Sequence, residues 1–500
     1  MKHIAAWVAA FVLTQASVAA PWTRGAVAAD HSVASSAGVE MLKRGGNAID
    51  AAVAVSLTLS VTDPFSCGLG GGGFMVVSIP GPNGQRSDVA LNYRERCPEK
   101  VDATFFVDHP DASSRYGGTA VAVPGTVAGL WAAHERWGQL PWSECFDPAI
   151  RAATSGVQVG GPWLGAMEWV RDRREESAEL VHMSDWIWRN LCGSGALTRD
   201  SIVRQPEQAA LLSKIAAEGP IAFYEGVVAH DIAKAVKRSG GVLSTIDLTR
   251  YEPVWSAPLE SDLVIGGYRL LSMPPPSSGG IAMQQILGLL DRRMKDAGKP
   301  GTAHWYHILI EAMRSAFADR AKFGADGTYV PVPIDAMTDP NHLDAAADAI
   351  PLDRARPSDE AGVTQLPDDA GTSHFCVVTS DGWAVSCTET INLEFGSLLA
   401  VPEWGIVLNN EMDDFATKPG EANAFGLVQS DRNAPAPGKM PLSSMSPTIV
   451  LKDGQIRLIA GASGGPRIIN GTLQVILNVL LRGMSPEEAV ASPRLHHQWL

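Results

Sequence analysis

Apolar positions recur with helical spacing in two well-separated parts of the chain. Residues 32 to 60 form two predicted helices, which Gly45-Gly46 separates, and Asn47 is placed to cap the second. Residues 302 to 323 form a further predicted helix whose apolar side comprises Trp305, Ile308, Leu309, Met313 and Phe317. Its charged residues are expected on a solvated face or in structural ion pairs, namely Glu311, Arg314 and Arg320.

The pattern becomes extended from about residue 374. Two strand-like runs flank residues 380 to 382, Ser-Asp-Gly, which is a short-range signal for a β-hairpin. A three-residue loop places Thr372 opposite Thr390 at the open end of this hairpin, and a two-residue loop shifts the pairing by one position. Either register brings two hydroxyl groups together.

The C-terminal third is predicted to be mixed α/β. Strand-like runs at 405 to 410 and 447 to 461 are followed by a helical pattern at 467 to 483. Residues 416 to 440 show little periodicity and many Pro, Gly, Asn and Asp residues, which predicts a long surface loop. Loops of this length are often lids over binding sites.

The composition is that of a globular protein. With 500 residues, 45% of them hydrophobic, the chain can bury a large core in one domain or in two or three smaller ones. A net charge of −14 without any basic block excludes nucleic acid as an expected partner. Residues 1 to 20 predict a secretory signal, hence a periplasmic or extracellular protein that is tethered to the membrane if the signal is retained. A short buried N-terminal helix is the alternative.

Two further patterns have plain interpretations. The six cysteines show no metal-ligand spacing, and only Cys376 and Cys387 are placed for a hairpin disulfide, with buried thiols preferred. The run "CGLGGGGF" (67 to 74) satisfies GxGxxG, but a helix precedes it and a strand-like run follows. Because a dinucleotide site needs the reverse order, we interpret these glycines as a tight backbone crossing.

Thr372 is the candidate nucleophile on chemical grounds. A threonine hydroxyl needs an adjacent base, and a free α-amino group supplies one if cleavage after Gly371 makes Thr372 the first residue. Thr390 could then orient the hydroxyl. Taken alone, the pattern favours two strand threonines that make cross-strand hydrogen bonds.

Polar clusters elsewhere could complete a pocket around this hydroxyl. The chain offers acids in "NNEMDDF" (409 to 415), hydroxyls in "PLSSMSP" (441 to 447) and backbone amides in "GASGGPR" (461 to 467). With Arg94 as a carboxylate clamp, they supply an ammonium site, a carboxylate contact and an oxyanion hole. A substrate with both charges of an amino-acid head fits this set. Singly, the same residues fit solvated acids, serine turns, a strand-ending glycine pair and a surface salt bridge.

These residues lie in motifs that resemble the γ-glutamyltransferase (glutathione hydrolase) family of N-terminal-nucleophile hydrolases. From about Arg24 onward the matching motifs, in family order, include "GGNAIDAAVA", "GLGGGGF", "AVPGTVAGL", "PPPSSGG", "EAMRSAFADR", "GTSHF", "LNNEMDDF", "PLSSMSPT", "GGPRII" and "SPRLHHQWL". The resemblance implies an α/β fold, a four-layer αββα sandwich, and a precursor that cleaves itself at Gly371-Thr372. Residues 1 to 20 would be the signal, 21 to 371 the large subunit and 372 to 500 the small subunit of one composite domain.

The resemblance also implies a role for each site residue. Thr372 matches the nucleophile and Thr390 its partner, and Gly464 and Gly465 match the oxyanion-hole glycines. The residues that match holders of the substrate α-carboxylate are Arg94, Asn392, Ser443 and Ser444, with Ser444 sometimes nearer the amino group. Those that match holders of the α-ammonium are Glu411 and Asp414.

The implied reaction is transfer of a γ-glutamyl group from glutathione or another γ-glutamyl compound to water or to an acceptor amino acid or peptide. It requires no metal and no organic cofactor. Relatives commonly have a second threonine, a small hydroxyl residue and a lid tyrosine where this chain has Ser373, Glu394 and Phe425, and they usually continue beyond Leu500, so a shortened small subunit is expected. The alternatives are a related acylase acting on glutaryl or cephalosporin amides, and an exported, uncleaved protein without activity.

Overall fold

The computed structural model describes residues 24–263, 266–357, 371–418 and 420–499. The predicted signal at residues 1 to 20 lies outside these ranges. The described strands are β1 (Gly25–Ala29), β2 (Gly72–Pro80), β3 (Arg86–Tyr93), β4 (Val157–Gln158), β5 (Ile202–Val203), β6 (Val254–Ser256), β7 (Leu259–Leu263), β8 (Tyr268–Ser272), β9 (Thr372–Thr379), β10 (Ala384–Thr390), β11 (Ala400–Val401), β12 (Ile406–Val407), β13 (Thr448–Lys452) and β14 (Gln455–Ala460).

The described helices form three groups along the chain. Those before β6 are α1 (Ser32–Arg44), α2 (Ala48–Thr62), α3 (Phe105–Asp108), α4 (Thr126–Trp137), α5 (Asp147–Ser155), α6 (Gly161–Arg174), α7 (Ala178–Met183), α8 (Asp185–Asn190), α9 (Pro206–Glu218), α10 (Ile221–Tyr224), α11 (Gly226–Arg238) and α12 (Thr245–Thr249). Those between β8 and β9 are α13 (Gly279–Arg292), α14 (Met294–Ala297), α15 (Ala303–Phe323), α16 (Ile334–Met337) and α17 (Pro340–Asp348). Those after β14 are α18 (Arg467–Arg482) and α19 (Pro486–Ala491).

Two antiparallel sheets form the centre of the described structure. The larger has the strand order β1-β9-β10-β2-β3-β6 and the smaller β14-β13-β8-β7. Their facing sides meet in a buried cluster of Val76, Leu271, Ala384, Ile449 and Leu451, which draws residues from both sheets. Two sheets that share such an apolar interior pack face to face.

Helices cover the outer side of each sheet. Every residue of α2 is buried, and this helix packs on β9 and β10 of the larger sheet. Helices α13, α15 and α18 share an apolar core with the smaller sheet. The layers therefore run helix, sheet, sheet, helix, which confirms the predicted four-layer αββα sandwich.

The structure confirms the predicted elements that have strong local signals. Gly45 ends α1 in the left-handed region at φ 97°, and Asn47 caps α2 in a capping box with Asp50. The hairpin pairs Thr372 with Thr390, as a three-residue loop predicts. The run 467 to 483 is α18, and the run 447 to 461 is β13 and β14.

The charged residues of α15 do not lie on a solvated face. Glu311, Arg314 and Arg320 on α15 are buried, at 2%, 8% and 4% exposure, because they have polar partners inside the fold. Glu311 pairs with Arg356, which agrees with the predicted structural ion pairs but not with a solvated face. Most of the described residues between 416 and 440 are partly or fully exposed, as predicted for a surface loop, although Phe425 within it is buried.

The glycine run after α2 is a close crossing of backbones, as predicted. A Cβ atom on Gly70 would lie 2.1 Å from the carbonyl oxygen of Val407, and one on Gly71 would lie 2.0 Å from that of Thr390. Both distances are far inside van der Waals contact, so only glycine fits at these positions. The run thereby lets the chain pass against the end of β10.

Cysteines and helices add two observations. The six cysteines all lie within the described ranges and all are free, so the possible disulfide between Cys376 and Cys387 is absent from this part of the chain. Among the described helices, none is both long enough and apolar enough to cross a membrane.

Candidate functional site

The open end of the β9–β10 hairpin brings two threonine hydroxyls together. Thr372 begins β9, Thr390 ends β10, and their Oγ1 atoms are 3.1 Å apart. Thr390 Oγ1 also lies 2.6 Å from the carbonyl oxygen of Gly371 and 2.8 Å from the backbone nitrogen of Asn392. Both side chains are buried, so these contacts are shielded from water.

The contacts of Thr390 fix the direction of its proton. A hydroxyl has one proton, and the carbonyl of Gly371 can only accept it. Thr390 therefore donates to Gly371, accepts from the Asn392 backbone N–H, and leaves Thr372 as the donor in the contact between the two threonines. The carbonyl of the Gly371-Thr372 bond is thus polarised by one threonine while the other lies beside it.

The backbone after β10 is strained. Asn392, Phe395 and Leu398 have φ of 77°, 52° and 61°, in the left-handed region that non-glycine residues rarely adopt. Asn392 is held there by its side chain, whose Nδ2 donates to the carbonyl of Asn410, and the Asn410 side chain accepts from the backbone of Leu393. Strain of this kind persists only where surrounding contacts impose it, as at binding sites.

Arg94 lies at the centre of an ion cluster. Its guanidinium contacts Glu411 through Nη1, lies 2.5 Å from Asp414 through Nη2, and has Glu95 3.5 Å away. It also donates to the carbonyls of Pro441 and Leu442, immediately before the two serines at 443 and 444. The arginine is 1% exposed, so the plain interpretation of a surface salt bridge is wrong.

In this cluster, burial and the neighbouring charges shift the pKa values in opposite directions. Burial raises the pKa of Glu95 to about 7 against the charge of Arg94. Burial likewise raises the pKa of Glu411 well above its usual range, and raises that of Asp414. Burial alone would lower the pKa of Arg94, but the charges of Glu411, Asp414 and Glu95 outweigh it and raise that pKa. Arg94 therefore stays charged, whereas burial favours the neutral form of the acids even beside this cation.

Some buried polar atoms at this cluster have no partner. Oε2 of Glu411 and Nδ2 of Asn410 are buried and make no hydrogen bond within the described ranges, and the same holds for both carboxylate oxygens of Glu95. Native interiors contain few such atoms, and each calls for an explanation such as a ligand. Glu411 Oε2 is an acceptor suited to an ammonium group, and Asn410 Nδ2 is a donor suited to a carboxylate or carbonyl oxygen.

Ser443 and Ser444 follow the two backbone carbonyls that Arg94 contacts. Ser443 Oγ accepts from the backbone nitrogen of Met445 at 3.2 Å, and Ser444 Oγ accepts from Nη2 of Arg320 at 3.2 Å. Both hydroxyl protons lack an acceptor among the described residues. Two consecutive residues with free hydroxyl protons suit the two oxygens of a carboxylate.

Gly464 and Gly465 lie in the turn between β14 and α18. Their φ values are 112° and 56°, and their carbonyls accept from the backbone of Arg467 and Ile468 at the start of the helix. Such a turn exposes backbone N–H groups at the positive end of a helix, where a negative oxygen is stabilised. Nearby, a Cβ on Gly461 would lie 2.2 Å from the ring of His374, which places this turn against the start of β9.

The segment around Phe425, in the predicted loop at 416 to 440, packs against the same glycine turn. A Cβ on Gly465 would lie 2.7 Å from the ring of Phe425, so the two are in close contact. The loop is fastened by Asp414, which accepts from Asn423, and by Gln498, whose Nε2 donates to the carbonyls of Phe425 and Gly426. The chain segment around Phe425 therefore joins the acids to the glycine turn.

The described residues offer one other group with ligand-like spacing. Asp50, His134 and Cys145 place potential metal-binding atoms within 4.8 Å of one another. The Asp50 carboxylate, however, accepts backbone N–H bonds from Asn47, Gln139 and Leu140, as a helix cap does. The group contains none of the predicted site residues.

The predicted site residues are connected by contacts. Hydrogen bonds link Thr372 to Thr390, Thr390 to Asn392, and Asn392 to the residue before Glu411. Arg94 then joins Glu411 and Asp414 to the serine segment. The sequence analysis did not identify four further residues whose contacts hold the site together, namely Glu95, Asn410, Arg320 and Gln498. For Arg320 a signal existed, because it follows Phe317 by three residues and so falls on the apolar side of α15.

Comparison with known proteins places these residues in a family. The family described as Gamma-glutamyltranspeptidase matches residues 34–500. The chain is 40% identical over 487 residues to a glutathione hydrolase proenzyme of Escherichia coli, covering 95% of this chain and 81% of the relative.

Solved structures agree with this match. A cephalosporin acylase from Bacillus halodurans superposes with a TM-score of 0.79 at 27% identity, covering 94% of this chain and 83% of that one. A γ-glutamyltranspeptidase from Pseudomonas nitroreducens superposes with a TM-score of 0.60 at 34% identity, covering 67% and 96%. The chain therefore belongs to the γ-glutamyltranspeptidase family, whose structures share its αββα sandwich.

Proposed function

We propose that this protein is a γ-glutamyltransferase and glutathione hydrolase in which Thr372 is the nucleophile. It takes the γ-glutamyl group of glutathione or a similar amide and passes it to water or to an acceptor amino acid or peptide. The observation that carries the proposal is the position of Thr372 Oγ1, 3.1 Å from Thr390 Oγ1, which itself donates to the Gly371 carbonyl. A hydroxyl in this position suits both self-cleavage and later attack on a substrate.

Maturation is the first proposed reaction. Thr372 Oγ1 attacks the carbonyl carbon of Gly371 while Thr390 donates to the carbonyl oxygen, which becomes negative in the tetrahedral intermediate. The C–N bond then breaks, the hydroxyl proton passes to the freed amino group, and Gly371 is left as an ester on Thr372. Water hydrolyses the ester, which restores the hydroxyl and gives a large subunit, 21 to 371, and a small subunit, 372 to 500.

Catalysis follows on the exposed threonine. The freed amino group, with a pKa near 7.7 to 8.0, acts as the base for its own hydroxyl. Thr372 Oγ1 attacks the γ-amide carbonyl, the backbone amides of Gly464 and Gly465 stabilise the oxyanion, and the leaving amine takes the proton. The resulting γ-glutamyl ester is resolved by water or an acceptor amine. These steps use only groups of the chain itself.

The pocket suits the amino-acid head of a γ-glutamyl group. Oε2 of Glu411 offers an acceptor to the α-ammonium, and Asp414 adds negative charge beside it. The α-carboxylate needs hydrogen-bond donors and positive charge. The free hydroxyl protons of Ser443 and Ser444, the side chain of Asn392 and the charge of Arg94 supply them. Since Arg94 is bound to Glu411 and Asp414, it also orders the two acids for the ammonium.

Export is part of the proposal. Residues 1 to 20 have the features of a secretory signal, and we propose that they direct the precursor to the periplasm or the cell exterior. Extracellular glutathione and other γ-glutamyl compounds are then the proposed substrates. Fractionation of cells that express the full chain tests this, since recovery of the protein only with the cytosol contradicts it.

A denaturing gel and two assays test the enzymatic proposal. The purified full chain should yield two fragments, the smaller beginning at Thr372 by N-terminal sequencing. A γ-glutamyl p-nitroanilide should be hydrolysed, and a glutaryl p-nitroanilide, which lacks the ammonium, should be a much poorer substrate. Hydrolysis of the glutaryl compound alone would favour the acylase alternative, which the structural likeness to a cephalosporin acylase keeps relevant. A single uncut band without activity would favour the non-enzymatic alternative.

A further inference from the structure

Arg320 is a buried guanidinium without a carboxylate partner. It lies on α15, is 4% exposed, and donates through Nε to Ser278 Oγ at 2.9 Å and through Nη2 to Ser444 Oγ at 3.2 Å. Within the described ranges it forms no ion pair. A buried charge without a counter-ion is costly, so its retention calls for a compensating role.

The two arginines of the pocket differ in their surroundings. Arg94 contacts two carboxylates and has a third nearby, and its remaining donors bond to backbone carbonyls. Among the described residues Arg320 donates only to hydroxyl groups. Burial lowers its pKa to about 10, and the charge of Asp414 acts in the opposite direction. Of the two guanidinium groups, Arg320 is therefore the one without a carboxylate at ion-pair distance among the described residues.

Proton positions connect this charge to Ser444. A guanidinium can only donate, so each hydroxyl that contacts Arg320 must accept from it and direct its own proton elsewhere. Ser278 sends its proton to the carbonyl of Ser443 at 2.7 Å. Ser444 has no such acceptor among the described residues, which leaves its proton for a ligand.

We propose that Arg320 is a positioning residue for the α-carboxylate of the γ-glutamyl group and acts through Ser444. The inference rests on the function proposed above and deepens it. Arg320 orients and polarises the Ser444 hydroxyl and adds its positive charge to that of Arg94, which pairs with two acids. Substrates with an α-carboxylate are therefore selected by the charge of Arg320, which acts on them through the hydroxyl group of Ser444.

The test compares two donors that differ only in this group. One is γ-glutamyl p-nitroanilide, and the other is the same anilide with its α-carboxylate converted to an amide. Arg320→Gln should raise KM for the first about 10- to 100-fold, the usual effect of losing a charged hydrogen-bond partner, with a smaller change in kcat. For the amide the change in KM should stay within about twofold.

Three variants make the result specific. Arg320→Lys keeps the charge and should restore part of the preference for the carboxylate. Arg314→Gln is the matched control, because Arg314 is a buried arginine on the same helix whose partners are the carbonyls of Arg356 and Pro357. It should leave the ratio of the two KM values unchanged. Combined with Ser444→Ala, the effect of Arg320→Gln should be less than additive.

Each outcome decides a stated point. Equal loss on both donors, or the same change of ratio in Arg314→Gln, overturns the role of Arg320. If Arg320→Gln is not cleaved, the comparison is made with Arg320→Lys, where a partial loss confined to the carboxylate donor supports the role and an equal loss on both donors overturns it. Failure of the wild-type protein to hydrolyse either donor overturns the proposed function itself, which separates the two failures.

Discussion

The two faces of the β9–β10 hairpin carry different chemistry. On one face Thr372 contacts Thr390, and two residues further along His374 bonds to Thr388 at 2.8 Å through Nδ1. On the other face Ser373 lies opposite Glu389, whose carboxyl group is bonded by Ser56 of α2. Successive side chains of a strand point to opposite sides, so neighbouring residues alternate between the hydroxyl face and the acid face.

The difference argues against two nearby side chains as the base for Thr372. Glu389 is the carboxyl nearest to Thr390 in sequence, but it points into the helical layer and bonds to Ser56 and Tyr93. On the hydroxyl face, burial lowers the pKa of His374 to about 3, and its two ring nitrogens are engaged by Thr388 and Cys376. Neither side chain contacts Thr372 in the described structure. This supports the α-amino group freed by cleavage as the base for Thr372.

The largest expected effect comes from the first residue of the hydroxyl face. Thr372→Ala removes the attacking oxygen, so we expect no cleavage on a denaturing gel and a loss of activity of about 10⁴-fold or more. Ser373→Ala is the matched control on the acid face, where Ser373 bonds to Ser66. It should still be cut and active. Cleavage of the Thr372→Ala chain at the same bond would show that another group attacks.

The second residue of the pair should have the next largest effect. Thr390→Ala removes the donor to the Gly371 carbonyl, and loss of one such donor typically lowers a rate about 10²- to 10³-fold. The half-time of precursor cleavage after synthesis measures this. Thr388→Ala is the control on the same strand and face, since its partner is His374. Equal slowing in both variants would mean that the strand, not the donor, matters.

The acid face should affect stability rather than rate. Burial raises the pKa of Glu389 from 4.5 to about 7, so between these values the folded protein holds a proton that the unfolded chain has released. Stability from this proton is present below pH 4.5 and is lost as pH rises through 7, by up to about 3 kcal/mol. Glu389→Gln cannot ionise.

A melting experiment checks this sign. The wild-type Tm should fall more between pH 5 and pH 8 than the Tm of Glu389→Gln, and the variant should keep kcat/KM within about threefold. The pH dependence of kcat/KM near 7.7 to 8.0, assigned to the α-amino group, should be the same in both proteins. A loss of that titration in the variant would instead make Glu389 the base.

The two faces also differ in how far sequence predicts them. The pairing of Thr372 with Thr390 depends on a three-residue loop and a period of two, so local pattern is enough. The bond between Ser56 and Glu389 joins residues 333 positions apart, and the contacts of Arg94 with Glu411 and Asp414 span 317 and 320 positions. No local period encodes such separations, and the family resemblance named Arg94, Glu411 and Asp414 without their mutual pairing.

The charged residues of α15 lie where their charge alone does not predict. The expected solvated face assumed that charged side chains point outward, yet Glu311 and Arg314 bond to Arg356 and to backbone carbonyls before the undescribed residues 358 to 370. Arg320 has the spacing of the apolar side and lies inside. Periodicity fixes the side of a helix on which a residue lies, but burial of a charge depends on partners that only the tertiary structure supplies.

The smallest expected effect is at the far end of the hydroxyl face. Cys376 lies opposite Ser386 and its thiol is 3.2 Å from His374 Nε2, whereas Cys387 pairs with Phe375 on the other face. A disulfide between the two cysteines would have to cross the sheet, so gels with and without reductant should be identical. Cys376→Ser should keep cleavage and kcat/KM within about twofold, because burial raises the pKa of this thiol to about 12 and keeps it neutral. A large loss of rate would mean that the hydroxyl face extends its chemistry beyond Thr388.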